Sequence, residues 1–239
     1  MSMTVIREVA SGVWTFSAPF SRFGVPIGGR STAISLQEGG VWVLASTPLD
    51  IETKTKLDEL GHVKYIVSPD AVHHLYLSEF KRTYPSAKLI ATAAAIQRHG
   101  DPKQFDGAWG RDEPIAKYGF EREIDVCYFS GHHNREVAFL HRASKSLIQG
   151  DLLFNLPAKE QYSKSKASGS FLGLAFQPQG WLHRKLTWTL GMDKEAMKRD
   201  VMTVSGWDFD RIIPCHGDVI ENDGKKAWND AYVDYLKPS

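Results

Sequence analysis

The stretch VKYIVSPDAVHHLYLSEF, Val63 to Phe80, places a strand pattern, a loop and a helix pattern end to end. VKYIVS is a short apolar, β-branched run and reads as a buried strand, while LYLSEF opens a helix that runs to Pro85. Strand, short loop and helix in that order form the repeating unit of layered α/β folds. The loop carries two adjacent imidazoles, His73 and His74. Histidine is the commonest metal ligand, but a histidine pair at a helix start is also an ordinary surface feature. Metal-capable residues at the ends of other strands decide between the two.

Outward from this stretch, the pattern continues on both sides. GVWTFSAP, STAISLQ and GVWVLAS read as an antiparallel N-terminal sheet, with Gly39-Gly40 as a hairpin turn. DIETKTKLDELG is helical and closed by Gly61; AKLIAT is a strand, and AAAIQRHG a short helix that enters the loop DPKQFDGAWGRDEP. In the second half, IDVCYFS, EVAFLHR and KSLIQGD are three strands, with a turn at HRASK joining the last two. DKEAMKRDVMTVSGW is a helix, RIIPCHGD a strand, and GKKAWNDAYVDYL a closing helix. Both halves run from sheet to helix. They predict an α/β protein built as a four-layer αββα sandwich, two mixed β-sheets flanked by helices, in a single domain over residues 1–239. The segment Asn155–Trp181 is polar and Ser/Lys-rich at first and apolar later, which predicts a long loop or lid.

The metal-capable residues fall at strand ends. His73 and His74 follow VKYIVS, His132 and His133 follow DVCYFSG, Asp151 follows KSLIQG, and His216 follows DRIIPC. In a layered sheet the strand ends on one edge lie together, so this placement gathers ligands from distant positions into one cleft.

Order, spacing and flanking residues resemble the metallo-β-lactamase fold superfamily, in an uncharacterised branch with a degenerate metal motif. Its members carry H-x-H-x-D-H after a strand, a third histidine in a Gly-His context, a bridging aspartate in a Gly-Asp context and a last histidine near the C-terminus. Here GHHNREVAFL, LIQGDLLF and IIPCHGD stand in the last three places. Laid on the first motif, PDAVHH puts Pro69 and Ala71 in place of two histidines, His73 in place of the aspartate and His74 on the final histidine. The resemblance implies one metal site in place of two, with His73, His74, Asp151 and His216 as ligands and His132, or its neighbour His133, as a further one. His62, His99, His141 and His183 read as surface or structural, and Trp181, Trp188 and Trp207 as core.

Imidazoles with one carboxylate and no thiolate suit one divalent transition metal, zinc first, with iron or manganese as alternatives. A bound cation with an open position lowers the pKa of its water and polarises a carbonyl or phosphoryl oxygen. The expected function is a mononuclear metal-dependent hydrolase of a small ester, lactone, thioester or phosphoester. A non-catalytic metal- or ligand-binding protein and an iron-dependent oxidoreductase are the alternatives. In the family, the aspartate replaced by His73 helps orient the attacking water. Asp151 would then serve as ligand and base, unless Glu136 or Asp218 reaches the site. Lys plus Arg (29) nearly balances Asp plus Glu (28), which argues against nucleic acid and acidic membranes as partners and for a small molecule. Cys127 and Cys215 form no C-x-x-C pair and read as buried thiols; with no segment apolar enough to span a membrane, the expected location is the cytoplasm, as a monomer or homodimer.

Overall fold

The structure is a computed structural model that describes residues 2–165 and 176–237. The chain opens with β1 (Val5–Ala10), β2 (Val13–Ala18), the hairpin of β3 (Ser21–Arg22) and β4 (Val25–Pro26), β5 (Gly29–Ser35) and β6 (Val41–Leu44). Then α1 (Ile51–Leu60), β7 (Val63–Val67), α2 (Leu77–Thr83), β8 (Lys88–Thr92), α3 (Ala93–His99) and β9 (Gly107–Trp109) complete the first half. The second half holds β10 (Ile124–Phe129), β11 (Glu136–His141), β12 (Ser146–Gln149), α4 (Trp181–Leu190), α5 (Lys194–Ser205), β13 (Arg211–Pro214), α6 (Gly224–Ala231) and α7 (Val233–Leu236).

Seven strands form one sheet in the order β1-β2-β5-β6-β7-β8-β9, and four form the second in the order β10-β11-β12-β13. Both are mixed. The hairpin-linked strands pair antiparallel, whereas β6 to β9 pair parallel, each connected through a crossover helix. In the second sheet β12 and β13 are parallel, joined by the long passage through α4 and α5.

Alternation along the strands divides the core into layers. Trp42 and Leu44 of β6 face the second sheet, while Val41 and Val43 face α1 and α2. Phe139 of β11 meets Trp42 edge-on at 5.1 Å between the sheets, and its neighbours Ala138 and Leu140 pack outward among Met197 of α5 and Trp228 of α6. The result is the αββα sandwich expected from the pattern. Caps fix the helices locally: Asp50 accepts from the Thr53 N–H at the start of α1, and Asp193 from the Ala196 N–H at the start of α5. Gly39 and Gly40 both take positive φ in the predicted turn.

Some elements differ from expectation. Gly107–Trp109, inside the loop DPKQFDGAWGRDEP, adds a seventh strand to the first sheet, because its short run pairs with β8 at the edge. The closing helix breaks at Tyr232 into α6 and α7. Trp181 starts α4 and is 71% exposed, so it is not core; Trp188 is 40% exposed, and Trp207 packs partly buried against the outer core. Residues 166–175 of the expected lid, with Phe171 and Leu172, lie outside the described residues. Its beginning is not a loose polar loop: Ala158, Gln161 and Tyr162 are buried.

Candidate metal centre

Asp151 and His216 are neighbours because their strands are. Gln149 of β12 pairs with Pro214 of β13 in parallel register, and each candidate ligand lies two residues beyond its paired position. The loop carrying His73 arrives from the other sheet and is laced across to the start of β11: Ala71 N–H donates to the Asn134 carbonyl at 2.9 Å, and Val137 N–H to the Pro69 carbonyl at 2.7 Å. Ser68 closes this loop on itself, its hydroxyl donating to the His73 carbonyl at 2.8 Å.

His73, Asp151 and His216 bring one ligand atom each to within 4.8 Å of one another, the metal-capable grouping found among the described residues. The Nε2 atoms of His73 and His216 are 3.2 Å apart, and Asp151 Oδ1 is 3.3 Å from His216 Nε2. The outer ring nitrogens determine which lone pairs face inward. His216 Nδ1 lies 2.5 Å from the Gly28 carbonyl, which only accepts, so Nδ1 carries the proton. His73 Nδ1 lies 2.8 Å from Asp70 Oδ2, and the Asp70 carboxylate also accepts from the backbone N–H groups of Val72 and His73. Two inward-facing imidazole nitrogens, close enough to share a proton, and a buried carboxylate oxygen without a hydrogen-bond partner therefore converge. That donor set fits a divalent transition metal, with the outer nitrogens anchored as metal-binding histidines require.

The electrostatics agree with tight coupling. Burial disfavours a charged His73, but Asp70 and Asp151 outweigh it and push its pKa up to about 9. Burial likewise opposes ionisation of Asp151, and the charges of His73 and His216 overcome it, holding the carboxyl below its ordinary range. A proton and a cation compete for the same cleft.

His74 and His132 stand outside the grouping. His74 is absent from the grouping and only partly buried, and burial and the charges of His99 and Arg98 on α3 lower its pKa. With His73 beside Asp151 and His216, the motif frame that fits the structure begins one residue earlier, at SPDAVH, with His73 on the final histidine and Asp70 on the second. His132 is buried, its Nδ1 3.3 Å from the Asn134 N–H, and burial pulls its pKa down to about 4. The residue this loop supplies to Asp151 is Asn134, whose side-chain amide donates to Oδ2 at 2.7 Å. His133 lines the cavity described below.

Neither auxiliary carboxylate reaches the cleft opening. Glu136 is fully buried, and its Oε1 accepts the N–H groups of Gly150, Asp151 and Leu152, so it orients the Asp151 loop from behind. Asp218 accepts from the Glu160 N–H at 2.9 Å. His216 is clamped more heavily. The buried Arg30 donates to the carbonyls of Pro214 and Gly217, both at 2.6 Å, and Gln161 donates to the Cys215 carbonyl and accepts from Gly217 N–H. Phe154 and Phe20 stack on the His216 ring at 5.5 and 5.9 Å. Asp70 has a weak sequence signal, an aspartate three residues before a histidine; Arg30 and Gln161 have none.

A cavity of about 440 Å³ opens above Asp151 and His216, walled by Ile27, Leu156, Phe176, Leu186 and Leu190. Leu156 and Phe176 are the described residues of the expected lid segment that line this cavity.

Fold and site together define a metallo-β-lactamase-fold protein with a His/Asp group able to hold a metal. Residues 10–168 match the family described as Domain of unknown function (DUF4336), and the chain belongs to that family. No curated protein matches the sequence. Among solved structures, it is similar to a metallo-β-lactamase from Pontibacter korlensis, at 14% identity and TM-score 0.61 over 98% of this chain and 100% of that one. It is similar also to the metallo-β-lactamase FIM-1 from Pseudomonas aeruginosa in its mono-zinc form, at 11% identity and TM-score 0.62 over 98% of this chain and 97% of that one. A flavo di-iron protein mutant from Thermotoga maritima matches at 12% identity and TM-score 0.67, over 97% of this chain and 62% of that one. These likenesses establish the fold. No helix among the described residues is long and apolar enough to cross a membrane.

Proposed function

We propose that the chain is a single-domain, mononuclear metal-dependent hydrolase of a small ester, lactone, thioester or phosphoester, with zinc as the first metal and iron or manganese as alternatives. The observation that carries this reading is the convergence of His73 Nε2, His216 Nε2 and Asp151 Oδ1 on one point beneath an open cavity. When bound there, the cation would supply Lewis acidity towards a carbonyl or phosphoryl oxygen and a water acidified towards neutrality. The chain's own residues do the rest. Asp70 and Gly28 hold the two imidazoles in the tautomer that presents Nε2. Asn134 fixes one oxygen of Asp151 and leaves the other free to ligate or to accept a proton from water. With Glu136 and Asp218 engaged elsewhere, Asp151 is the carboxylate left at the site for either role. Cys127 and Cys215 are free and buried, which is consistent with a reducing compartment such as the cytoplasm.

The test is metal analysis of the purified chain followed by an ester, lactone, thioester and phosphoester screen. One zinc per chain and turnover abolished by His216→Ala support the proposal. A metal-free active protein, or a metal-loaded one inert on all four classes, overturns it; a visible iron band with no hydrolysis transfers support to the oxidoreductase reading.

A further inference from the structure

The cavity is chemically divided. Its wall is aliphatic and aromatic, but Arg22 of the β3–β4 hairpin and Arg98 of α3 also line it, and Asp151 is the only carboxylate lining it among the described residues. Elsewhere the guanidinium groups of Arg7, Arg122, Arg142 and Arg211 each pair with a carboxylate. Among the described residues no carboxylate pairs with Arg22 or Arg98; Arg22 instead lies 5.6 Å over the ring of Phe23. Both charges flank the 68–74 loop, Arg22 acting on His73 and Arg98 on His74. Phe23 sits at the hairpin tip, 95% exposed, in a turn where it and Gly24 both take positive φ, and it too lines the cavity. An exposed aromatic beside an unpaired guanidinium offers contact to a ligand that is apolar along its length and negative at one end.

We propose that the cavity binds an anionic amphiphile, with an apolar chain or ring along Ile27, Leu156, Leu186 and Leu190 and a carboxylate or phosphate group at Arg22 and Arg98. The inference rests on the metal-centre reading above, since Asp151 and His216 then face the cleavable bond of such a molecule. The substrate class narrows from any small ester to an acyl or phosphoryl ester that carries a separate negative group. The volume falls within the range typical of small-molecule sites, about 300–1,000 Å³.

Calorimetric titration of the full chain, zinc-loaded and again after chelation, with octanoate, octyl phosphate, octanamide and octylamine tests this. The two anions should bind about tenfold more tightly than octanamide and octylamine should bind least, with or without zinc. The tighter of the two anions identifies the head group as carboxylate or phosphate. Arg22→Gln and Arg98→Gln should each weaken the anions about fivefold and leave octanamide within about twofold. Leu186→Gln should weaken all probes, which reports the apolar wall separately. Equal binding of charged and neutral probes overturns the proposal, as does an anion preference unchanged in the double arginine variant. A preference that vanishes on chelation also overturns it, by placing the head group on the metal. The hydrolase reading fails independently, if the probes bind as expected but the zinc-loaded chain cleaves no ester.

Discussion

His73 and His216 present their Nε2 atoms 3.2 Å apart, yet their loops are held in opposite ways. His73 itself is tied within its own loop, where Asp70 takes the ring and two backbone N–H groups and Ser68 takes the carbonyl, while only the loop's middle, at Pro69 and Ala71, is laced to Val137 and Asn134. The His216 loop is tied from afar, by Arg30 and Gly28 at the start of the chain and by Gln161 from the segment after Asp151. A locally tied ligand can be perturbed with the fold intact. A distantly tied one shares its supports with the core, so disturbing it disturbs stability first.

The largest expected effect is at Arg30. Arg30→Leu removes the donor for two buried carbonyls and a partner of Glu160, and should destabilise the protein by about 3–5 kcal/mol in urea unfolding. A loss below about 1 kcal/mol would break the contrast between the two loops. Asp70→Asn should act differently. It leaves the fold in place but loosens the His73 tautomer, so zinc affinity measured against a chromophoric chelator should fall about 10–100-fold. Unchanged affinity with unchanged stability would remove Asp70 from the site.

A smaller effect concerns His183 of α4, whose Nε2 accepts from the Phe154 N–H beneath the His216 ring. Burial pulls its pKa from 6.5 down to about 4, so the unfolded chain binds more protons between these values. The stability His183 contributes is fully present above about pH 6.5, and it is lost as pH falls through about 4. His183→Gln should flatten the wild-type decline in stability between these values; parallel curves would place the acid sensitivity elsewhere. The smallest effect is at His74. Because it is not part of the grouping, His74→Ala should change zinc affinity by less than about twofold, whereas His73→Ala should lower it by at least the about 10–100-fold that loss of an outer partner costs. Equal losses in the two variants would restore the later motif frame.

Much of the architecture was legible because it depends on local periodicity. β-branched runs and Gly-terminated helices are properties of neighbouring residues, and they specify strands and helices; the two faces of β6 and β11 were not legible, because both strands are buried along their whole length. β9 escaped because three residues carry too little pattern, and its pairing with β8 is what makes it a strand. In the site, His73, Asp151 and His216 were legible because each follows a strand. That His73 and not His74 joins the grouping, and that Asn134 donates to Asp151 while His132 stays outside the grouping, were not, since nearby side chains are distinguished only by the direction the backbone gives them.

The sequence by itself determined which residues end the strands and which could ligate a cation, since element type and donor chemistry belong to short stretches of chain. Tertiary structure decided which imidazole joined the grouping, which ring nitrogen faced inward and which cavity guanidinium groups have no carboxylate partner among the described residues. Those outcomes depend on partners far away in sequence, such as the Gly28 carbonyl 2.5 Å from His216 Nδ1, and burial makes each such partner costly to omit.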